Sequence, residues 1–420
     1  MNRRTLVFNY YGMTNVGGIE KYINEVTGAL LGTDVRIIWL KEKNSKVAQS
    51  FQEHMLDPRV VTVEITQRGY HWFSIGNLCF MPDEEITIVS FSPLDMGRAM
   101  YIANKYKHHA INLIYAIPNT TGNMYFLERY FKGTLRNTVA KRMGRIFEKW
   151  EQAGALLFFS AGQIKPLEDA YDLEITSKQE KLLPGVKPLP VLNEDKLIER
   201  SKRDPFKIIT VGRFEFPHKG YMLGLIDAYD KLKATYPNIK LDIIGFGPDE
   251  MLVRNKIEKL SDQAKADIRL LGEVAPDNLP QYFDSASLNI SVAGGVSAGV
   301  KLGVFSIPAR NYCYGECEVY GFLPEKKSMT VSTSPGEPVE DYIIRVIEMS
   351  DEEYVNRCRL AYDDLKANLS YNPTFFLEKG CEAKAVANSS DIAFLRLLHY
   401  MTKITDYVGI TKTKWKGLFR

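Results

Sequence analysis

The chain is predicted to be α/β, with two Rossmann-like doubly wound parallel-sheet domains facing a central cleft. Three observations predict this. Short apolar runs alternate with helical periodicity once before residue 190 and again after it. Glycines stand where such runs stop, as in IITVGRFEFPHKG (Ile208–Gly220) and LDIIGFGPDE (Leu241–Glu250), which is where a parallel sheet meets its ligand. Between the halves, proline-dense KLLPGVKPLP (Lys181–Pro190) and the charged run Asn193–Asp204 mark an exposed connection. The expected division is residues 1–190, residues 191–385, and a C-terminal segment 386–420.

Bulk properties narrow the function classes. With 420 residues, 45% hydrophobic and 25% charged, the composition is that of a globular protein of two or three domains. A net charge of +3 makes no general case for nucleic acid, so partners have to be argued locally. The five cysteines, Cys79, Cys313, Cys317, Cys358 and Cys381, are scattered, which fits a reducing cytosol. Cys313 and Cys317 fall short of a zinc site's four ligands, and no metal is expected. The start, MNRRTLVFNYYG, breaks its apolar run at Asn9 and lacks a cleavage pattern, so it reads as a first strand. No run reaches the roughly 18 apolar residues of a membrane span. A cytoplasmic location is expected.

In chain order, Thr5–Tyr10 is a strand that leads through a loop to Gly17 and Gly18. Ile19–Leu31 then has helical periodicity, with Ile19, Tyr22, Ile23, Val26, Ala29 and Leu30 on one face. A glycine pair between strand and helix lets backbone approach a ligand, and the helix start offers N–H groups to an anion; the same pair also suits a tight turn with no ligand. Val35–Leu40, Val60–Ile65, Ile86–Phe91 and Ile111–Ile117 are further strands, and Leu94–Tyr106 is a helix.

Ala116–Trp150 starts at a strand end and becomes a long helical region, basic and aromatic: Tyr125, Phe126, Arg129, Tyr130, Phe131, Lys132, Arg136, Lys141, Arg142 and Arg145. Such interleaving suits a membrane surface or an anionic partner, or else a solvated helix whose aromatics face the core. Ala155–Ser160 is a strand and Ala161–Tyr171 a helix. In the second half, Leu270–Ser291 reads as strand, turn, short helix and strand. Val339–Met349 and Asp351–Leu369 are helices, the second capped by Ser350. Asp391–Val408 is amphipathic. The end, KTKWKGLFR (Lys412–Arg420), is basic and aromatic, so membrane contact is expected through 125–145 and 412–420.

Five short motifs come in order: VGRF (Val211–Phe214), KG (Lys219, Gly220), GFGP (Gly245–Pro248), LGEV (Leu271–Val274) and YF-x-x-A (Tyr282, Phe283, Ala286). Together they resemble the donor half of family 4 retaining glycosyltransferases of the GT-B fold. NVGGIEKY (Asn15–Tyr22) resembles the same family's glycine-rich first loop, Lys181–Pro190 its closing strand and turn, and GFLPE (Gly321–Glu325) the strand and turn after its sugar site. The resemblance implies a nucleoside diphosphate sugar as donor, a glycan or lipid-linked acceptor held by the first domain, a C-terminal segment 386–420 that crosses back to that domain, no metal cofactor, and a place in bacterial surface polysaccharide assembly.

A diphosphate leaving group gains charge as the glycosidic bond breaks, so cations and N–H donors are needed there. Arg213 and Lys219, at a strand end, are expected to hold it. Gly245 and Gly247 would let base or ribose pack on bare backbone, and Val274 would lie against the base or in the core. The sequence then departs from the family. SVAGGVSAGVKLGVFSIPARNY (Ser291–Tyr312) puts Ala293 and Lys301 where two glutamates belong, and neither accepts a hydrogen bond from sugar hydroxyls as a carboxylate does. What remains is Gly294, Gly295 and a helix capped near Ser297, whose N–H groups would face the pyrophosphate, with Lys301 as an added cation or an exposed charge. Glu316 and Glu318 are the acids available to substitute. The strand ends that in the family carry a histidine offer Asp95 and Asn119 instead. Two functions lead: sugar transfer with altered sugar recognition, or a silent GT-B protein that binds or scaffolds another transferase; a sugar-nucleotide epimerase of the same fold would need carboxylates and histidines that the sequence does not place.

Overall fold

The computed structural model describes residues 3–10, 18–43, 49–65, 77–118, 130–275, 278–325 and 335–407, with residues 47, 75 and 127. The chain forms two compact units, residues 1–188 with 370–420, and residues 189–369.

In the first unit the strands β1 (Arg4–Asn9), β2 (Val35–Glu42), β3 (Val60–Ile65), β4 (Glu85–Ser90), β5 (Ala110–Ile117) and β6 (Leu156–Phe158) lie in one sheet, ordered β3-β2-β1-β4-β5-β6 and parallel to one another. Their sequences are near-continuous β-branched and aliphatic runs because both faces are covered. Alternate residues serve two cores: Val7, Ile38, Ile88 and Leu113 pack on one face, and Leu6, Phe8, Ile37, Trp39 and Ile114 on the other. Helices Pro93–Lys105 and Gly133–Gln152 supply the first core, and Gly18–Leu30 the second. Each such buried aliphatic side chain contributes about 1.5–3 kcal/mol.

The second unit repeats the plan with β7 (Phe206–Val211), β8 (Ile239–Ile244), β9 (Ile268–Gly272), β10 (Leu288–Ser291) and β11 (Ser306–Pro308), ordered β9-β8-β7-β10-β11 and all parallel. Ile208, Leu241, Ile243 and Ile290 face the larger core, while Ile209 and Ile244 face a smaller one with Phe283 and Val304. Helix Tyr221–Thr235 follows β7, and Gly294–Lys301 follows β10.

The return to the first unit comes earlier than the sequence suggests. Residues 370–385, assigned there to the second domain, belong to the first unit. Gly185 N–H donates to the Ser370 carbonyl (2.7 Å), and Cys381–Glu382 pairs antiparallel with Leu113 and Asn112 of β5. A two-residue strand after Gly380 carries no periodicity, so the sequence does not reveal it. Helix Ser389–Tyr407 then buries Leu395 and Leu398. Among the described residues, no helix is long and apolar enough to cross a membrane.

Candidate functional site

A doubly wound sheet binds ligands where its strand order reverses. In the second unit that point lies between β7 and β10, since β8 continues on one side of β7 and β10 on the other. The chain there is glycine-rich because several backbones converge. Val211 N–H donates to Ser291 Oγ (3.1 Å), tying the two strand ends together. A Cβ at Gly295 would stand 2.8 Å from the Val211 carbonyl oxygen, so only glycine lets the helix Gly294–Lys301 begin against the end of β7. At Gly294 a Cβ would meet nothing within 4 Å. The residue before it, Ala293, holds φ 47° and ψ −119°, a conformation costly for a residue with a Cβ.

Beside this helix start, the loop after β7 carries the cations. Lys219's aliphatic stem passes Gly212: its Cδ lies 3.3 Å from where a Gly212 Cβ would be. Arg213, about a third exposed, contacts Glu215 at 3.2 Å. Burial lowers the Lys219 ammonium to about 8, with Glu215 opposing and Arg213 adding to the shift. Burial, then Lys219 and Arg213, lower His218 to about 3, so its imidazole is neutral at physiological pH. The Arg213 guanidinium and the Lys219 ammonium thus share one neighbourhood with the Glu215 carboxylate, a field that favours a multivalent anion.

The second glycine loop supports the first. Phe214 N–H donates to the Phe246 carbonyl (2.8 Å), Asp249 N–H to the Phe214 carbonyl (3.1 Å), and Phe216 N–H to Asp249 Oδ2 (2.6 Å). A Cβ at Gly245 would collide with the Gly212 carbonyl, and one at Gly247, whose φ is 153°, with the Phe214 backbone. The space that the sequence reading kept for base or ribose is therefore occupied by the neighbouring loop. Val274, half-buried, packs with the Ile209, Ile244 and Phe283 cluster, the core alternative.

Other expectations need correction. The helix begins at Gly294, so Ser297 sits inside its first turn instead of capping it, and Lys301 is its last residue, about 10 Å from the start at 1.5 Å per residue. Asp95 is buried: Oδ2 accepts from Ser92 Oγ (2.7 Å) and Oδ1 lies 3.5 Å from Arg98 Nη1. It braces the first unit's strand ends and is not presented to an acceptor. Glu318 is committed to Arg310 Nη1 (2.6 Å) and the Gly336 N–H (2.8 Å), whereas Glu316 is exposed. Glu316, Glu318 and Cys313 bring possible ligand atoms within 4.8 Å of one another, but that pairing of Glu318 already balances its charge. Gly18 opens the helix Gly18–Leu30, with nothing within 4 Å of a Cβ there; Gly17 and Asn119 lie outside the described residues.

His218 and Tyr312 were not anticipated. Their rings lie 4.9 Å apart, and Tyr312 N–H donates to the His218 carbonyl (3.1 Å). Tyr312–Cys317 crosses the loop because Gly220 and Gly224 give it room: Cβ atoms there would strike the backbones of Cys313, and of Glu316 and Cys317. Two glycines one helical turn apart were the readable signal for that close approach.

Residues 193–293 match the family model for glycosyl transferases group 1, which spans both strand ends of the site. No curated protein matches the chain in sequence. The structure is similar to an E. coli protein described as trehalose-6-phosphate bound with UDP-2-fluoro glucose, with a TM-score of 0.50, 11% identity, and cover of 94% of this chain and 99% of that one. It is also similar to the Candida albicans trehalose-6-phosphate phosphatase N-terminal domain (TM-score 0.51, 11% identity, 94% and 97% covered). An OtsA apo structure gives TM-score 0.51 at 11% identity, over 90% and 97%. At this identity the likeness shows the fold. The chain has the GT-B fold of two Rossmann-like units, and its residues 193–293 carry the segment shared by glycosyl transferases group 1.

Proposed function

We propose that the protein transfers a sugar from a nucleoside diphosphate sugar to a glycan or lipid-linked acceptor, with retention, in the cytoplasm and in the assembly of bacterial surface polysaccharide. One observation carries the reading: Arg213 and Lys219 gather beside the start of helix Gly294–Lys301 at the point where the second sheet reverses its order. Support for a uridine nucleotide comes from the E. coli neighbour's bound UDP-2-fluoro glucose.

In this mechanism Arg213 and Lys219 draw the diphosphate into the site and stabilise the charge that grows on it as the glycosidic bond breaks. The backbone N–H of Gly294, the first residue of the helix, adds a donor on the other side of the same group, whereas that of Gly295 is taken by the Val292 carbonyl. The departing phosphate oxygen helps take the acceptor hydroxyl's proton on the same face, so no separate protein base is required. These cations supply the countercharge that a metal supplies in other transferases, and the reaction as proposed is metal-independent.

A second reading is favoured by Ala293 and Lys301, where the resemblance expects carboxylates: a catalytically silent protein that binds a nucleotide and scaffolds another transferase. Incubation with uridine and guanosine diphosphate sugars, with membrane extract as acceptor source, separates the two. Release of nucleoside diphosphate together with labelled glycan supports transfer. Nucleotide binding without release from any donor supports the scaffold.

A further inference from the structure

The first unit carries a second basic feature, far in sequence from the strand-end site. Helix Gly133–Gln152 turns Val139, Met143, Ile146, Phe147 and Trp150 into the core, so most of the described large apolar side chains of this basic, aromatic stretch are structural. Phe131 is buried with them. Its other face presents Thr138, Lys141, Arg142 and Arg145. Helix Ser389–Tyr407 lies alongside: Arg142 donates to Ser390 Oγ (3.0 Å) and Asp391 Oδ1 (2.7 Å), Lys149 donates to Asp391 Oδ2 (2.7 Å), and the Arg142 guanidinium stands 5.8 Å from the Phe394 ring centroid. Between them runs a groove of about 560 Å³.

Asp391 is the acid at this contact, and Arg142 and Lys149 already take its oxygens. Lys141 and Arg145 are exposed and add positive charge to the groove. Each of the two helices also exposes a leucine close in sequence to the groove's lining. Leu135, one turn before Thr138, is 49% exposed, and Leu397, one turn after Phe394, is 54% exposed. The sequence beyond this second helix, residues 408–420, contains Lys412, Lys414, Trp415, Lys416, Phe419 and Arg420 and no acid. A soluble anion would satisfy the cations and leave both leucines in water. A bilayer interface satisfies both kinds of side chain.

We infer that this groove is a docking face for an anionic bilayer, with Lys141 and Arg145 at the headgroup phosphates and Leu135 and Leu397 at the acyl boundary. The inference does not depend on the nucleotide site. Co-sedimentation of the full chain with phosphatidylglycerol-containing vesicles, against phosphatidylcholine alone, tests it. The wild type is expected to sediment with the anionic vesicles only. Lys141→Glu with Arg145→Glu should lower partitioning by about twentyfold or more, since each basic residue near such a surface is worth about fivefold. Leu135→Ser with Leu397→Ser should weaken what binding persists at high salt. Melting temperatures confirm that the variants fold, and the milder Lys141→Gln with Arg145→Gln replaces the charge reversal if it does not. The inference is overturned if the wild type ignores anionic vesicles, if the charge variant sediments undiminished, or if free glycerol phosphate competes as well as vesicles do.

Discussion

The two units both place charge where the sheet reverses its order and treat it in opposite ways. In the first, the sheet reverses between β1 and β4, and the strand ends are closed by the protein's own groups. Asn9 Nδ2 donates to Ser90 Oγ (3.0 Å) and the Asp95 carbonyl (2.5 Å), while fully buried Arg98 donates to Asn9 Oδ1 (3.0 Å) and faces Asp95. In the second, the reversal between β7 and β10 gathers Arg213, His218 and Lys219 around one exposed carboxylate, Glu215. A cation held by internal partners braces a fold. The Lys219 ammonium, which burial and Arg213 disfavour, is stabilised by an arriving anion.

Substitutions can break that contrast. The largest effect is expected from Arg98→Ala, which leaves Asp95 buried without its cation; about 3–5 kcal/mol of stability should be lost in chemical denaturation. Nucleotide affinity per folded molecule should stay unchanged. Arg213→Ala with Lys219→Ala should do the reverse: uridine diphosphate affinity falls about a hundredfold by titration calorimetry, as two charge-assisted contacts vanish, with no loss of melting temperature.

A smaller effect sharpens the electrostatic part. Lys219's folded value of about 8 lies below its ordinary 10.5, so the free protein gains stability between those values as the pH rises. A bound diphosphate favours the ammonium, so binding takes up a proton and affinity should weaken several-fold from pH 7 to pH 9. Lys219→Arg should flatten that dependence. The acid side concerns His218, whose folded value of about 3 lies below the ordinary 6.5. Its contribution is complete above pH 6.5 and is lost as the unfolded chain protonates towards pH 3. His218→Gln should therefore show a shallower acid-side loss in urea denaturation.

The alternation of strands and helices was legible because the central strands are covered on both faces, leaving apolar runs such as ITIVS and IITV. The cationic loop was legible too, since its arginine and lysine flank a strand end. What the sequence did not reveal depends on contacts between distant segments. Gly245 and Gly247 look like openings for a ligand until Gly212 and Phe214 are seen to fill the space. Asp95 looks like a free acid until Arg98 and Ser92 take its oxygens. The helix start at Gly294 was misplaced because Ser297 is a good cap by type, whereas the chain turns at Ala293 through a conformation that residue type disfavours.

The central claim is that the second unit's basic loop holds a diphosphate. It is tested most directly by calorimetric titration with uridine diphosphate and with uridine under the same conditions. The account predicts measurable binding of the diphosphate and binding of the bare nucleoside weaker by at least about a hundredfold, in proportion to the charge-assisted contacts removed. Equal affinity for the two, or no binding of uridine or guanosine diphosphate at all, would contradict it.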